Sequence, residues 1–299
     1  MKNLILLTFA FTIAIVTSYA QPFNQEFIPE GKTPVLLGKI NKEILSKNTY
    51  SKWFLANYEA YQPNQEKVEI LITLLPQYTI TAFFGTWCGD SRKELPRFYK
   101  ILDEAQFPLE RLTVVALASD REHYKQSPGG EEEGLNVHRV PTFIFYKDGK
   151  EINRIVEHPV NTLEADMQEI VQDKGYIPNY YSVTIVDNAL NEMGIKKFQK
   201  KSKKLLSQLK KESKSLSELN TYSSVLFYSN RKEEAIAVAR LNTLLYPEEA
   251  YPYENLGNKL YSFNKPEEAL ANYNKSLSIN PNNERIKSVV TAIQSEGVK

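Results

Sequence analysis

The chain has 299 residues, more than one domain usually holds, and its 42% hydrophobic and 24% charged content is that of ordinary folded protein. A formal charge of +1 excludes a global pull toward nucleic acid, and the composition is neither collagen-like nor that of a charged tail. With Cys88 as the single cysteine, no disulfide can form within the chain.

Residues 1–20 begin with Lys2, continue through an apolar run over residues 4–16, and end Ser18-Tyr19-Ala20. That is the pattern of a secretory signal, cleaved before Gln21. The run falls short of the roughly 18 residues a membrane span needs, and no cysteine follows it to carry a lipid. An exported protein is expected, periplasmic or extracellular, with no membrane span after signal removal. Disulfides persist in such a setting, so Cys88 is either a buried inert thiol or a reactive one.

Residues 21–64 read as an N-terminal extension and helix. Pro22, Pro29 and Pro34 keep residues 21–40 extended, and Ile44, Leu45, Trp53, Phe54, Tyr58 and Tyr61 follow at partly helical spacing. Val68, Leu71, Ile72 and Leu75 then share one face of a helix over residues 65–75.

Residues 79–84, T-I-T-A-F-F, are β-branched and aromatic and predict a buried strand that runs straight into Trp87-Cys88. Asp90 and Ser91 signal a helix through residue 105, which Pro96 should kink. Residues 113–118 predict a second buried strand, and residues 119–134, with Pro128-Gly129-Gly130, a loop or a short helix plus loop. Residues 140–146 and 150–157 flank Lys147-Asp148-Gly149 as a hairpin, and residues 162–172 form an amphipathic helix with Leu163, Met167, Ile170 and Val171 on one side.

Residues 176–215 read as a Lys-rich helical connector. Nine lysines between Lys196 and Lys214 face one acidic residue, Glu212, a local net charge of +8. The segment offers a contact for anionic lipid, polysaccharide or an acidic partner, or else a solvated helix face with Leu205, Leu206 and Leu209 turned inward. Residues 216–299 hold an internal repeat: Ala235 and Ala269, Pro247 and Pro281, and Glu233-Glu234 and Glu267-Glu268 recur at an offset of 34. Leu256, Gly257, Ala269, Tyr273 and Pro281 make this second copy resemble the tetratricopeptide family. The first copy departs at Ser223, in the glycine position, and at Asn242, in a usually small one. Residues 284–295 are expected to cap the array.

The stretch W-C-G-D-S, Trp87 to Ser91, resembles the W-C-x-x-C corner of the thioredoxin superfamily, with Ser91 where the second cysteine would stand. A second segment, L-N-V-H-R-V-P-T-F-I-F-Y-K-D-G-K, resembles that family's cis-proline segment, with Pro141 as the proline and Val140 before it. The two motifs lie about 50 residues apart in the family's order, and the resemblance covers residues 65–175. It implies an α/β thioredoxin-like fold followed by an all-α tetratricopeptide-like domain.

The resemblance also implies roles. Cys88 would be the nucleophile and Ser91 a hydrogen-bond donor to its thiolate, with Trp87, Gly89, Asp90, Val140 and Pro141 as the substrate-facing rim. The helix N-terminus favours a thiolate at Cys88 and the nearby Asp90 opposes one. Ala82 holds the position of the family's buried acid, so both parts that resolve a mixed disulfide are replaced. What remains is single-thiol exchange, with an external thiol or a second client cysteine releasing Cys88. No cofactor or metal is implied, since His123, His138 and His158 are scattered, and a Cys88–His138 approach is the weakest of the ideas. The expected partner is a protein or client, engaged through the repeat module and the Cys88 site, and not nucleic acid. The alternative is a non-catalytic interaction or chaperone-like scaffold.

Overall fold

The computed structural model describes residues 23–28, 31 and 33–296, so the signal read over residues 1–20 lies outside the described residues. The N-terminal part contains, in order, β1 (Gln25–Phe27), β2 (Val35–Ile40), α1 (Lys42–Leu45), α2 (Asn48–Ala60), α3 (Gln65–Leu74), β3 (Thr79–Phe84) and α4 (Gly89–Glu104). It continues with β4 (Leu112–Ala116), β5 (Thr142–Lys147), β6 (Lys150–Val156) and α5 (Leu163–Val171). The strands form one sheet in the order β1-β2-β4-β3-β5-β6. Only β3 and β4 run parallel, and the other neighbours are antiparallel. The extended lead-in therefore does more than lead in, because β2 adds to the sheet by pairing Gly38 with Ala116.

Strand periodicity sorts the side chains of this sheet onto two buried faces. Ile80, Ala82, Phe84, Val114, Ala116, Phe143 and Phe145 join the core built with α1 to α5. Phe83, Val115 and Ile144 point the other way and are covered by Leu117, Val137 and Val140, with Trp87 and Cys88 at the margin. Ile72, expected on the inward face of α3, is 40% exposed.

Pro96 stands inside α4 without ending it. A proline cannot donate to the carbonyl four residues back. The Arg92 carbonyl accepts instead from Asn57 Nδ2 of α2, at 3.2 Å. The hairpin forms where expected, with Lys147 opposite Lys150 and both turn residues in the left-handed region, Asp148 at φ 52° and Gly149 at φ 75°.

The C-terminal part is helical: α6 (Tyr181–Met193), α7 (Ile195–Lys201), α8 (Leu206–Glu212), α9 (Ser217–Tyr228), α10 (Lys232–Leu245), α11 (Ala250–Ser262), α12 (Pro266–Ile279) and α13 (Glu284–Glu296). Helix α10 bridges two cores. Its Ala235, Val238 and Leu241 pack with α6 to α9, and its Ile236 and Ala239 with α11 to α13. The first of these cores runs across residue 215, since Phe198 and Leu209 are fully buried in it. All nine lysines of the 196–214 segment are exposed, so the basic charge occupies a solvated face of this domain. Among the described residues no helix is long and apolar enough to cross a membrane.

The repeat explains its own residue choices. A Cβ on Gly257 would lie 2.7 Å from the buried Tyr273 ring, so glycine lets α11 approach α12. In the first copy, Ser223 and Asn242 are fully buried and bonded. Ser223 Oγ donates to the Asn220 carbonyl at 2.9 Å, and Asn242 Nδ2 donates to Asn220 Oδ1 at 2.8 Å and to the Leu216 carbonyl at 2.9 Å.

Candidate functional site

Cys88 is the N-cap residue of α4, with extended backbone at φ −92° and ψ 128°, because β3 must leave the sheet before the helix can start. Its amide donates to the Gly85 carbonyl at 3.0 Å and its carbonyl accepts from Arg92 at 3.1 Å, closing the turn and then the first helical bond. The side chain makes no capping bond and is half-buried. Its Sγ–H instead donates to the Val140 carbonyl at 3.2 Å, across the Val140–Pro141 peptide, which is cis. Two loops distant in sequence thus meet at one sulfur.

Trp87 beside it is anchored by its indole N–H, which donates to the Leu117 carbonyl at 2.8 Å. Gly85 is required by that indole: a Cβ there would sit 2.5 Å from the Trp87 ring. Gly89 and Asp90 are exposed on the first turn of α4. Ser91, by contrast, is fully buried, and its Oγ accepts from the Gly85 amide at 3.1 Å. Among the described residues no hydrogen bond joins Ser91 to Cys88. The Ser91 hydroxyl thus closes the β3–α4 turn from below, as acceptor of the Gly85 amide. Ala82 lies in the helix-covered core, paired with Phe143, and no acid occupies its place.

The loop carrying Val140 is held by residues the motif did not single out. Lys125 is 5% exposed, and its ammonium donates to the His138 carbonyl, two residues before Val140. Burial pushes its pKa down to about 7, with Arg139 adding to the shift and Glu157 and Cys88 opposing it. His138 is buried and held neutral, its pKa lowered to about 3 chiefly by desolvation. Its Nδ1 lies 3.2 Å from the Asn136 carbonyl and so carries the proton, which leaves Nε2 bare and without a partner. The histidine therefore braces the loop from inside. Among the described residues, no group of three or more His, Cys, Asp or Glu side chains is arranged to hold a metal ion.

Arg139 ties the same loop to the helical domain. It pairs with Glu157 at 3.0 Å, lies 4.6 Å over the Tyr180 ring, and reaches Ser217 and Thr221 at 3.4 Å. The Tyr180 hydroxyl donates to Glu157 as well. Arg121 and Gln126 bond Tyr228 at 2.9 and 2.8 Å, and Tyr124 packs edge-on to the same ring. Sequence reading passed over Lys125, Arg139, Glu157 and Tyr180 because they sit in four separate stretches that only tertiary structure joins. The one local signal was Arg139, adjacent to Val140-Pro141 in sequence. No protein-family model and no curated protein matches this chain.

Proposed function

We propose that the chain is a thioredoxin-like, single-thiol exchange protein whose client site is Cys88, joined to a tetratricopeptide-like module that binds protein. The observation that carries this reading is the sulfur at a helix N-terminus facing the carbonyl of a cis X-Pro peptide at 3.2 Å.

In the proposed reaction the Cys88 thiolate attacks one sulfur of a client disulfide. A Cys88–client S–S bond forms, the client S–S bond breaks, and the departing client thiolate takes up a proton. A second client cysteine, or a small external thiol, then attacks the mixed disulfide and releases Cys88. If the attacker is a client cysteine, one disulfide is exchanged for another with no net oxidation, which is isomerisation. Ser91 cannot resolve the intermediate, since its hydroxyl forms no S–S bond and is already engaged with Gly85. Trp87, Gly89 and Asp90 form the rim a client meets, with the buried Val140–Pro141 peptide behind the sulfur. The signal-like residues 1–20 support export to the periplasm or beyond, where client disulfides are found.

A second reading, a non-catalytic interaction or chaperone-like scaffold, draws on the half-burial of Cys88 among Val140 and its apolar neighbours. One experiment separates the two. The folded protein is incubated with oxidised glutathione at neutral pH and examined by intact mass spectrometry, alongside Cys88→Ser. Exchange predicts a glutathione adduct on the parent alone, reversed by added thiol. An unmodified parent under conditions that modify the unfolded chain leaves the scaffold reading.

A further inference from the structure

Besides the two sides that enter the helical cores, α10 has a third. Glu233, Ala237, Arg240 and Leu244 follow one another at spacings of four, three and four, so they form one stripe along the helix. That stripe is the floor of an open groove of about 750 Å³. Lys196, Gln199 and Lys203, at the same helical spacing on α7 and just beyond it, line one wall. Phe263 and Lys265, from the turn between α11 and α12, line the other with Asn272 of α12. Leu241 belongs to the core shared with α7 and Ile236 to the core shared with α11 and α12, so the walls stand on opposite sides of the stripe.

From Glu233 to Leu244 the floor runs about 16 Å, three helical turns. Leu244 is 40% exposed on it. Four cations, Lys196, Lys203, Arg240 and Lys265, meet one acid, Glu233, among the lining residues. Arg240 and Lys265 share the carboxylate of Glu268, whereas Lys196 and Lys203 form no ion pair among the described residues. The groove is therefore apolar along part of its floor and basic on both walls.

The repeat does not require this surface. At the offset of 34, Arg240 and Leu244 correspond to Asn274 and Ser278 on α12, which are exposed and polar, and Glu233 and Ala237 to Glu267 and Ala271. The same stripe is thus a solvated surface in the second copy, and only the first copy sets a leucine there and faces it with the lysines of α7. Concavity and charge together select the occupant. A flat anionic membrane would meet the outer lysines and miss the floor, and a polysaccharide would leave Leu244 without an apolar contact. A rod with one apolar side and acidic flanks satisfies both, which is how an amphipathic helix lies in a groove.

We propose that this groove docks an acidic amphipathic helix of a partner protein, its apolar stripe on Ala237 and Leu244 and its acidic flanks on Lys196, Lys203 and Lys265. The proposal rests on reading the helical domain as a protein-binding module, names the chemistry of the partner, and needs nothing from Cys88.

The test uses the full chain and a labelled, end-capped peptide of about 14 residues, with leucines at helical spacing and glutamates on both flanks; isolated helices this short are marginal in water. The comparator has the same composition with the leucine spacing scrambled, so general attraction to the basic face is equal for both. By fluorescence anisotropy at about 0.15 M salt, the patterned peptide is expected to bind at least about tenfold tighter, and circular dichroism should show it becoming helical when bound. Leu244→Gln, at an exposed position, and Lys196→Gln with Lys203→Gln should each remove that advantage. Lys210→Gln with Lys211→Gln, on α8 outside the groove, should keep it. Binding without gain of helix, or an advantage that survives Leu244→Gln, would overturn the proposal. Displacement of the peptide by phosphatidylglycerol vesicles would assign the groove to a lipid surface, and self-association lost in Leu244→Gln would assign it to a second copy; either also overturns it. Equal binding of the two peptides removes the groove proposal and leaves protein binding by the module standing, whereas no binding of either removes both. The glutathione adduct on Cys88 is scored on the same samples, so the exchange reading stands or falls separately.

Discussion

The two faces of the sheet are both dry, but they are built differently. One is covered by α1 to α5 with large aromatics in contact, as in the stack of Phe98 on Phe143 at 4.2 Å. The other is covered by loop residues Val137 and Val140, and its polar support comes from Lys125, His138 and Arg139. Helix-covered surface draws its stability from apolar area. Loop-covered surface must also satisfy backbone groups that no ladder or helix serves, and here it does so with buried charge. The sulfur lies at the edge of the second face, where shape depends on polar contacts with another domain.

Breaking each side should therefore give different signatures. Phe98→Ala, on the helix-covered face, should cost about 3–5 kcal/mol in urea denaturation, with the labelling rate of Cys88 in the remaining folded protein unchanged. A comparable change in labelling would show that the faces are not separable. Arg139→Ala, on the loop-covered face, should cost roughly 2–3 kcal/mol, because Glu157 and Tyr180 lose their cation and the bonds to Ser217 and Thr221 go with it. Here Cys88 labelling should rise, and hydrogen exchange should increase around Val140 and in α9 together. Exchange confined to the loop would mean that the helical domain does not support the site.

The smallest effect is a pH slope. Lys125 has its folded pKa lowered from 10.5 to about 7, so between those values the unfolded chain binds more protons. Stability should then increase as pH rises from about 7 toward 10, by on the order of 1 kcal/mol per unit from this group. In Lys125→Met that increment should vanish, leaving the contribution of Lys259, whose shift has the same sign. On the acid side His138 acts in the opposite window. Its folded pKa of about 3 lies below 6.5, so stability should fall as pH drops through that range. Chemical denaturation at a series of pH values reads both limbs, and a flat profile above pH 7 in the parent would contradict the buried-lysine account.

Much of the architecture was legible locally. Thr79–Phe84 read as a buried strand because its residues are β-branched and aromatic and too few for a helix, and the hairpin read from Asp148-Gly149, whose backbone conformations few residues tolerate. The offset of 34 marked the helical pairs, and Gly257 marked a close approach. Other features were not legible. Residues 35–40 read only as extended, since whether an extended segment joins a sheet depends on an open edge, here that of β4. Ser91 was read from its place in the motif, which gave no sign that its oxygen would accept the Gly85 amide. Ser223 and Asn242 looked like departures from the repeat and proved to be members of a buried polar network.

The sequence by itself determined the order of strands and helices and the single sulfur at a strand-to-helix corner, because these follow from periodicity and turn chemistry along the chain, whereas the proline that meets the sulfur was implied by the family resemblance alone. Only the tertiary structure decided which charges are buried. Lys125 and Lys259 read like any other lysines among thirty-seven basic residues. Their significance comes from desolvation and from neighbours more than ten residues away or on another helix, and neither is a property of local sequence.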